Sequence, residues 1–336
     1  MKLGGLDSLK RPIVIAEIGN NHEGQIDVAE QLVREAARCK ADAVKFQTFR
    51  TDHYVSRHDE ARYKRLKSFE LTAAQFGDLG RLARSLGLLF LSTPFDLASV
   101  DILEPLVDAF KISSGDINFY PLIDRVTSTG KPVILSTGAS NLSLVKKTVD
   151  FVRERQSRAN GDEPLAVLHC VSSYPVPLEQ ANLRALTTLK SQLRCTIGYS
   201  DHTIGIQAVL AAVVLGAEVI EKHFTLDKHF SDFRDHTISA DPLEMAELVR
   251  QIPLIQMLLG SGEKVIQSCE LASEAAIRRS IVAGKDLLRG HRLDWNDLTW
   301  IRPAGGLAPG EEGTVIGKAL KHDVTFGERL EAGDVG

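Results

Sequence analysis

Short apolar stretches alternate with longer amphipathic stretches along most of the chain. Eight stretches have the length and composition of buried strands: Ile13 to Ile18, Ala43 to Gln47, Leu88 to Ser92, Ala109 to Ile112, Val133 to Ser136, Ala166 to Cys170, Cys195 to Tyr199 and Glu218 to His223. Eight more have apolar residues at helical spacing: Ile26 to Lys40, Thr72 to Leu86, Leu97 to Leu106, Tyr120 to Thr129, Asn141 to Arg158, Leu178 to Gln192, Thr203 to Leu215 and Leu243 to Leu259. Eight strand–helix alternations within about 260 residues predict an α/β fold, the (β/α)₈ TIM barrel.

Local signals support these boundaries. Thr72 followed by Gln75 has the spacing of a helix-capping box, and Gly87 and Gly216 come where helices should end. A doubly wound sheet is the competing α/β architecture. Its dinucleotide-binding form has no support here, because no GxGxxG motif follows the first strand.

Two regions depart from the alternation. Residues 50–71 are polar and basic, and they predict a long loop that acts either as a lid or as a solvated connection. After the barrel domain of residues 1–262 we expect a linker of residues 263–279, with a short helix at Glu270 to Arg279. A small β-rich domain of residues 280–336 follows, and its size suggests that it docks on something.

Composition narrows the class of protein. The 336 residues are 43% hydrophobic and 25% charged, and the net charge of −4 gives no reason to expect nucleic acid or an anionic membrane as a partner. We find neither a signal peptide nor an apolar run of membrane-spanning length. The four cysteines are far apart and form no CxxC pair. A cytoplasmic protein with reduced thiols is therefore expected.

Two histidines end the last two predicted strands. His202 and His223 are separated by twenty-one residues, too many for one helix face. A strand–helix–strand unit would nevertheless place them at neighbouring strand tips. Two neutral imidazoles in one pocket can hold a divalent metal with open coordination positions. The alternative is that each histidine only makes a local hydrogen bond.

Every predicted strand ends in polar or ionisable residues. Lys45 and Lys111, with nearby hydroxyls and glycine amides, are suited to bind a phosphate or carboxylate, and Glu17 and Asp116 are candidate acid–base groups. Each residue also has a structural explanation, such as a lysine that pairs with a carboxylate. The convergence of all eight ends is harder to attribute to packing, because buried charges are costly.

Several motifs resemble those of the sialic acid synthases, which make N-acetylneuraminic, legionaminic and pseudaminic acids. They are Ile15 to Gly24, Lys45 to Phe49, Ser92 to Asp96, Leu168 to Cys170 with Tyr174-Pro175, and Ser200 to Thr203. The tail motifs Arg279 to Ala283 and Trp300 to Pro303 are similar to those of the antifreeze-like (SAF) domain that ends these synthases. The resemblance covers nearly the whole chain.

The resemblance implies a reaction and a set of roles. Phosphoenolpyruvate would condense with the open-chain aldehyde of an N-acetylated hexosamine such as N-acetylmannosamine, with release of phosphate by C–O cleavage. His202 and His223 would bind Mn²⁺ or Mg²⁺. The phosphoenolpyruvate contacts would be Lys45, Thr93, Lys111, Ser114, Ser136 and Ser200, and the sugar contacts would be Glu17, Gln47, Tyr174 and Asp235. Arg302 would reach the active site of a partner in a domain-swapped homodimer.

Three positions differ from the family pattern. Asp116 replaces a glutamate proposed to activate water, Ser172 replaces an asparagine beside the sugar, and Ser231 to His236 replaces a segment with Gly and Pro. The sugar therefore stays open among N-acetylmannosamine, its 6-phosphate and a 2,4-diacetamido hexose. Two alternatives also remain: a Schiff-base lyase or aldolase that uses Lys45 or Lys111, and a catalytically silent sugar-binding or scaffold protein.

Overall fold

A computed structural model describes residues 1–158 and 164–336. These residues form two compact units, Met1–Gly260 and Ser261–Gly336. The first unit contains the (β/α)₈ barrel, and the second is a small unit with little regular secondary structure. Each unit is described by itself below.

Eight parallel strands close into a barrel in the order β10-β3-β4-β5-β6-β7-β8-β9. The strands are β3 (Ile13–Gly19), β4 (Ala43–Thr48), β5 (Leu89–Pro94), β6 (Ala109–Ile112), β7 (Val133–Ser136), β8 (Leu165–Cys170), β9 (Thr196–Asp201) and β10 (Val219–His223). Their bounds lie within two residues of the predicted ones, so the TIM-barrel prediction is confirmed.

The strands are buried on both faces, which explains their nearly continuous apolar sequences. Side chains at alternate positions point into the barrel or outward against the helices. The inward positions of the amino-terminal half form one apolar cluster that includes Ile13, Ile15, Leu91 and Ile134. A short hairpin of β1 (Lys2–Leu3) and β2 (Leu6–Asp7), absent from our predictions, adds Met1 and Leu3 to this cluster.

The helices of the first unit are α1 (Ile26–Arg38), α2 (Thr51–Tyr54), α3 (Glu60–Phe69), α4 (Ala73–Ser85), α5 (Leu97–Leu103), α6 (Tyr120–Thr127), α7 (Leu142–Arg158), α8 (Ala185–Gln192), α9 (Gln207–Val214), α10 (Asp235–Ile238) and α11 (Pro242–Leu259). The predicted capping box is present at Thr72, which accepts from the Gln75 amide and donates its own amide to Gln75 Oε1. Gly87 and Gly216 have left-handed φ angles of +80° and +87° and lie just past helix ends, as predicted. No helix in the described ranges is both long and apolar enough to cross a membrane.

Three element predictions need correction. The helix predicted from Leu178 begins instead as a 3₁₀ turn, and α8 starts only at Ala185, after the left-handed Asn182 with φ of +45°. The helix predicted from Thr203 starts at Gln207, because Gly205 adopts a left-handed φ of +81°. The loop predicted for residues 50–71 contains α2 and α3, whose mostly exposed residues give little apolar periodicity.

The second unit is organised around one hairpin. Strands β11 (Ser280–Ala283) and β12 (Leu298–Ile301) pair antiparallel, and helix α12 (Leu271–Ile277) precedes them. Ten buried apolar residues, among them Ile281, Leu293 and Leu330, form its core. Val315 follows a 3₁₀ turn and does not belong to a strand, although its side chain is buried.

Candidate functional site

A cavity of about 670 Å³ opens at the carboxyl ends of the barrel strands. Most of the residues proposed from the sequence line it: Glu17, Lys45, Gln47, Thr93, Lys111, Ser114, Ser136, Ser172, Tyr174, Ser200, His202, His223 and Asp235. They come from different strands and from the loops that follow them. Barrel closure therefore brings together residues that are more than two hundred positions apart in sequence.

Lys45 is the central cation of the cavity floor. Its Nζ lies 2.7 Å from Glu17 Oε2 and 3.7 Å from Glu221 Oε2, and it donates to Thr93 Oγ1 at 3.1 Å. Burial alone would lower the pKa of Lys45, but the charges of Glu17 and Glu221 outweigh burial and raise it. Lys45 is therefore a fixed positive charge. Burial raises the pKa of its partner Glu17, opposed by the charge of Lys45.

Lys111 has a different environment on the same floor. Its Nζ lies 3.7 Å from Glu221 Oε1, and Ser200 Oγ donates to the same oxygen at 2.9 Å. Burial lowers the pKa of Lys111 below its ordinary value, and the neighbouring charge of Lys45 adds to the effect. Burial would raise the pKa of Glu221, but the two lysines outweigh it and lower the pKa. Glu221 thus holds two ammonium groups near one point.

Hydroxyl groups surround the two lysines. Ser136 Oγ is buried and has no hydrogen-bond partner in the described part of the chain, so it is available to a ligand. The amide of Gly138 donates to Ser114 Oγ at 2.9 Å. A Cβ at position 138 would lie 2.2 Å from Ser172 Oγ, so any side chain there would force the serine side chain to move. The loops after β6, β7 and β8 therefore meet at the cavity wall.

The two histidines converge as the sequence predicted. Their ring centroids are 5.3 Å apart. His202 Nδ1 lies 2.8 Å from the carbonyl oxygen of Val171, to which it donates, and this leaves Nε2 with its lone pair. His223 Nδ1 is buried without a hydrogen-bond partner in the described residues. Burial lowers the pKa of His223 well below its usual range.

These donors fit a divalent metal bound by few protein ligands. Two imidazoles with available nitrogens can act as ligands of a divalent transition metal. Asp235 Oδ2 lies 4.0 Å from His223 Nδ1. No group of three or more His, Cys, Asp or Glu residues with metal-site geometry occurs among residues 1–158 and 164–336. A metal held here would therefore keep positions for water or substrate.

Tyr174 covers the histidine pair. Its ring centroid lies 4.2 Å from that of His202 and 6.0 Å from that of His223. The guanidinium carbon of Arg234 lies 4.6 Å from the centroid of the Tyr174 ring, and Arg234 Nε donates to Asp235 at 3.3 Å. Burial raises the pKa of Asp235. This wall offers an aromatic face, a carboxylate and a guanidinium to a polar ligand.

Two predicted residues lie elsewhere. Asp116 follows β6 but does not line the cavity; it accepts a hydrogen bond of 2.6 Å from Ser113 Oγ, and Ser113 does line it. Burial raises the pKa of Asp116. Arg302 is an exposed residue of the second unit. Their predicted roles therefore stay predictions.

The sequence analysis missed several cavity residues, of which Glu221 is the most important. Strand alternation could have identified it, because it precedes the inward-facing His223 by two positions. Asn20 also lines the cavity and donates to Gln47 Oε1 at 2.9 Å. Helices α2 and α3 contribute Tyr54, Arg62 and Arg65 to the lining, which supports a lid role for this segment over that of a solvated loop. The basic composition of residues 50–71 singled out this segment in the sequence, and only the structure shows that Arg62 and Arg65 reach the cavity.

Fold and cavity together place this chain among the TIM-barrel enzymes. Comparison with known proteins narrows the class: the profile of the NeuB family matches residues 32–264. The chain belongs to the NeuB family, and the resemblance of its barrel motifs to the sialic acid synthases is confirmed. The SAF resemblance of the tail stays a prediction.

The relatives are similar along nearly their whole length. N,N'-diacetyllegionaminic acid synthase of Legionella pneumophila is 40% identical over 331 residues, covering 94% of this chain and 92% of that protein. Human N-acetylneuraminate-9-phosphate synthase is 32% identical over 336 residues, covering 94% and 92%. The crystal structure of N-acetylneuraminic acid (sialic acid) synthetase from Leptospira borgpetersenii is 36% identical with a TM-score of 0.76, covering 81% of this chain and 94% of that one.

Proposed function

We propose that this chain is a nonulosonic acid synthase. It condenses phosphoenolpyruvate with the aldehyde of an N-acetylated hexosamine and forms a nine-carbon 2-keto acid and phosphate. One observation carries the proposal: Lys45 and Lys111, with their surrounding hydroxyls, form an anion-binding floor beside the converging imidazoles of His202 and His223. The names of the relatives, which are synthases of this kind, support the same activity.

The reaction is balanced with water as the third reactant. A C–C bond forms between C3 of phosphoenolpyruvate and the aldehyde carbon, whose oxygen takes a proton. Water adds at C2, and the C2–O bond to phosphate then breaks. The water oxygen becomes the keto oxygen of the product. C–C bond formation places negative charge on the aldehyde oxygen, and C–O cleavage places it on the leaving phosphate, so fixed cations in a buried site favour both steps.

The floor binds phosphoenolpyruvate in this proposal. Its carboxylate and phosphate each need cations and donors, and the floor supplies two ammonium groups with hydroxyls around them. The proposed contacts are Lys45, Thr93, Lys111, Ser114, Ser136 and Ser200, all of which line the cavity. Glu221 keeps both lysines in place and stays ionised because they lower its pKa.

The sugar lies against the opposite wall. Its hydroxyl and amide groups contact Glu17, Gln47, Ser172, Tyr174 and Asp235, which line the cavity. His202 and His223 would hold a divalent metal, Mn²⁺ or Mg²⁺, which when bound supplies Lewis-acid polarisation of the aldehyde. Asp116, whose raised pKa suits a proton acceptor, acts on the attacking water through the Ser113 side of the cavity.

The second unit is proposed to be a SAF domain that works on a partner. The motifs at Arg279 to Ala283 and at Trp300 to Pro303 support this, and the exposed Arg302 is available for an intersubunit contact. A domain-swapped homodimer follows, in which Arg302 reaches the cavity of the other chain. A chain made inactive by His202→Ala and also carrying Arg302→Ala would be mixed with wild-type chain. Loss of the wild-type chain's activity in the mixed dimer would show that its cavity depends on Arg302 of the other chain.

The decisive experiment is phosphate release from phosphoenolpyruvate with Mn²⁺ or with EDTA. The sugar panel contains N-acetylmannosamine, its 6-phosphate and 2,4-diacetamido hexoses. Metal-dependent release with one sugar establishes both the reaction and the substrate. Absence of release with every sugar, from a folded protein, would contradict the proposed reaction.

A matched pair of histidine variants isolates the metal site. His202→Ala should abolish metal-dependent turnover while the fold remains, because His202 lines the cavity. His169→Gln is the control, since His169 is also a buried barrel histidine but bonds to Ala181 O outside the cavity. Full activity of His202→Ala would remove the metal assignment.

The low pKa of Lys111 favours a second candidate, a Schiff-base lyase or aldolase. Burial lowers the pKa of Lys111, and a lowered pKa favours the neutral amine, which is the form that attacks a carbonyl carbon. Borohydride reduction in the presence of pyruvate would attach the substrate covalently to Lys111 in that case. Absence of such an adduct, with phosphate release intact, decides for the synthase.

A further inference from the structure

A buried ion pair lies directly behind the two cavity histidines. Asp201 precedes His202 and Lys222 precedes His223 in the sequence, and strands β9 and β10 pair Asp201 with Lys222 in register. Lys222 Nζ lies 2.8 Å from Asp201 Oδ2. Both side chains are completely buried, with 0% exposure.

The pair belongs to a closed hydrogen-bond network. Lys222 Nζ also donates to the carbonyl oxygen of Thr203 at 2.5 Å, immediately after His202. Asp201 accepts from the Tyr199 hydroxyl at 3.0 Å and from the Thr203 amide at 2.9 Å. The network therefore ties the tip of β10 to the tip of β9 and to the turn that follows His202.

The pair faces away from the cavity. Glu221 and His223 line the cavity, so Lys222 between them points to the outer side of the strand, as its neighbour Ile220 does. Asp201 likewise shares the outer side with Tyr199. A buried charge pair is no more stabilising than a well-packed apolar pair would be, so fold stability does not account for its presence.

We propose that Asp201 and Lys222 are positioning residues that hold His202 and His223 at the separation a metal requires. They touch neither metal nor substrate. They act by locking the relative height of two strand tips, because a charge pair held by further hydrogen bonds permits less movement than an apolar contact. The inference rests on the proposed metal role of the two histidines for its functional meaning.

Two variants and one control test the proposal. Lys222→Met removes the ammonium with little change in volume. The double variant Asp201→Asn/Lys222→Met removes both charges and keeps an acceptor for Tyr199 and Thr203. It leaves no unpaired buried charge, so it serves as the test if Lys222→Met does not fold. Asp42→Asn is the control, because Asp42 forms a partly buried pair with Arg11 and accepts from the Val14 amide far from the histidines.

The first measurement is Mn²⁺ affinity of the purified full chain by electron paramagnetic resonance, with thermal melting of each variant. We expect the Mn²⁺ Kd of the double variant to rise at least tenfold. In Asp42→Asn, Kd should stay within twofold of wild type even at an equal loss of thermal stability. An unchanged Kd in a folded double variant would overturn the proposal.

The second measurement does not depend on metal. A crystal structure of the metal-free double variant should show the His202 and His223 ring centroids displaced from 5.3 Å or one ring disordered. Rings unchanged in place would overturn the positioning role. If wild type binds no Mn²⁺, the metal part of the proposed function fails, and the ring positions alone decide the positioning role.

Discussion

The two halves of the barrel interior are built from the same strands but contain opposite chemistry. In the amino-terminal half the inward residues are apolar, among them Ile13, Ala43 and Leu91. Two or four positions further along the same strands, the inward residues are Glu17, Lys45 and Thr93. Residues two and four positions apart on a strand lie on the same face, so one inward face contains apolar residues at one end and polar residues at the other.

The halves also differ in how completely their groups are satisfied. The apolar half needs only close packing, and the β1–β2 hairpin closes it with Met1 and Leu3. The polar half retains buried atoms without hydrogen-bond partners in the described residues, among them Asn20 Oδ1, Ser136 Oγ, Glu221 Oε2 and His223 Nδ1. Unsatisfied polar atoms at one end indicate where a ligand completes the structure.

The largest expected effect breaks the polar half. Lys45→Met should lower kcat/KM for phosphoenolpyruvate by about 10³-fold or more, because Glu17 and Glu221 would face the anion without their cation. Steady-state kinetics measures the loss. Lys131→Met is the control. Lys131 lies two residues before the start of β7, and its Nζ donates to Val107 O. A Lys45→Met enzyme that keeps a tenth of wild-type activity would contradict the assignment of Lys45 to the anion-binding floor.

A matching substitution in the apolar half should affect stability instead. Ile13 is 1% exposed within the apolar cluster, so Ile13→Ala should lower the free energy of unfolding by about 3 kcal/mol. Activity per folded molecule should stay within about twofold of wild type, since the cavity begins four positions further on. Denaturant titration gives the stability, and a large loss of kcat would show that the halves are coupled.

The pH dependence of stability should single out His22, a buried histidine in the turn after β3. Burial lowers the pKa of His22 to about 4, whereas the unfolded chain has an ordinary value near 6.5. The unfolded state therefore takes the proton first as pH falls. Stability from neutral His22 is fully present above pH 6.5 and is lost between about pH 6.5 and 4, by about 3 kcal/mol in all. Denaturant titration of His22→Gln should lack this loss, and an identical slope in both proteins would contradict it.

The smallest effect should come from residues 50–71, the segment that contains α2 and α3. Arg62 lines the cavity, and its guanidinium lies 5.6 Å above the Tyr54 ring. Arg62→Ala should raise KM for the sugar about three- to tenfold with a small change in kcat, because a peripheral contact aids binding more than chemistry. Lys64→Ala is the matched control on the same helix, since Lys64 is exposed and pairs with Glu60. Equal effects of both variants would point to general helix damage.

Local patterning determined most of the barrel. Apolar runs, capping boxes and terminal glycines are short-range features, so they identified all eight strands and most helices. They also placed polar residues at the strand ends, which is enough to predict that Lys45, Lys111, His202 and His223 meet once a barrel is assumed. The motifs added the family, which comparison confirmed.

Tertiary structure decided which of these residues touch. Barrel closure and strand register set Glu221 between Lys45 and Lys111, and they set Lys222 opposite Asp201. Helices α2 and α3 have few buried residues, so their formation depends on packing against the cavity wall more than on apolar periodicity in their own sequences. Pairings across strands depend on contacts between distant parts of the chain, and a sequence pattern read one stretch at a time contains no distances.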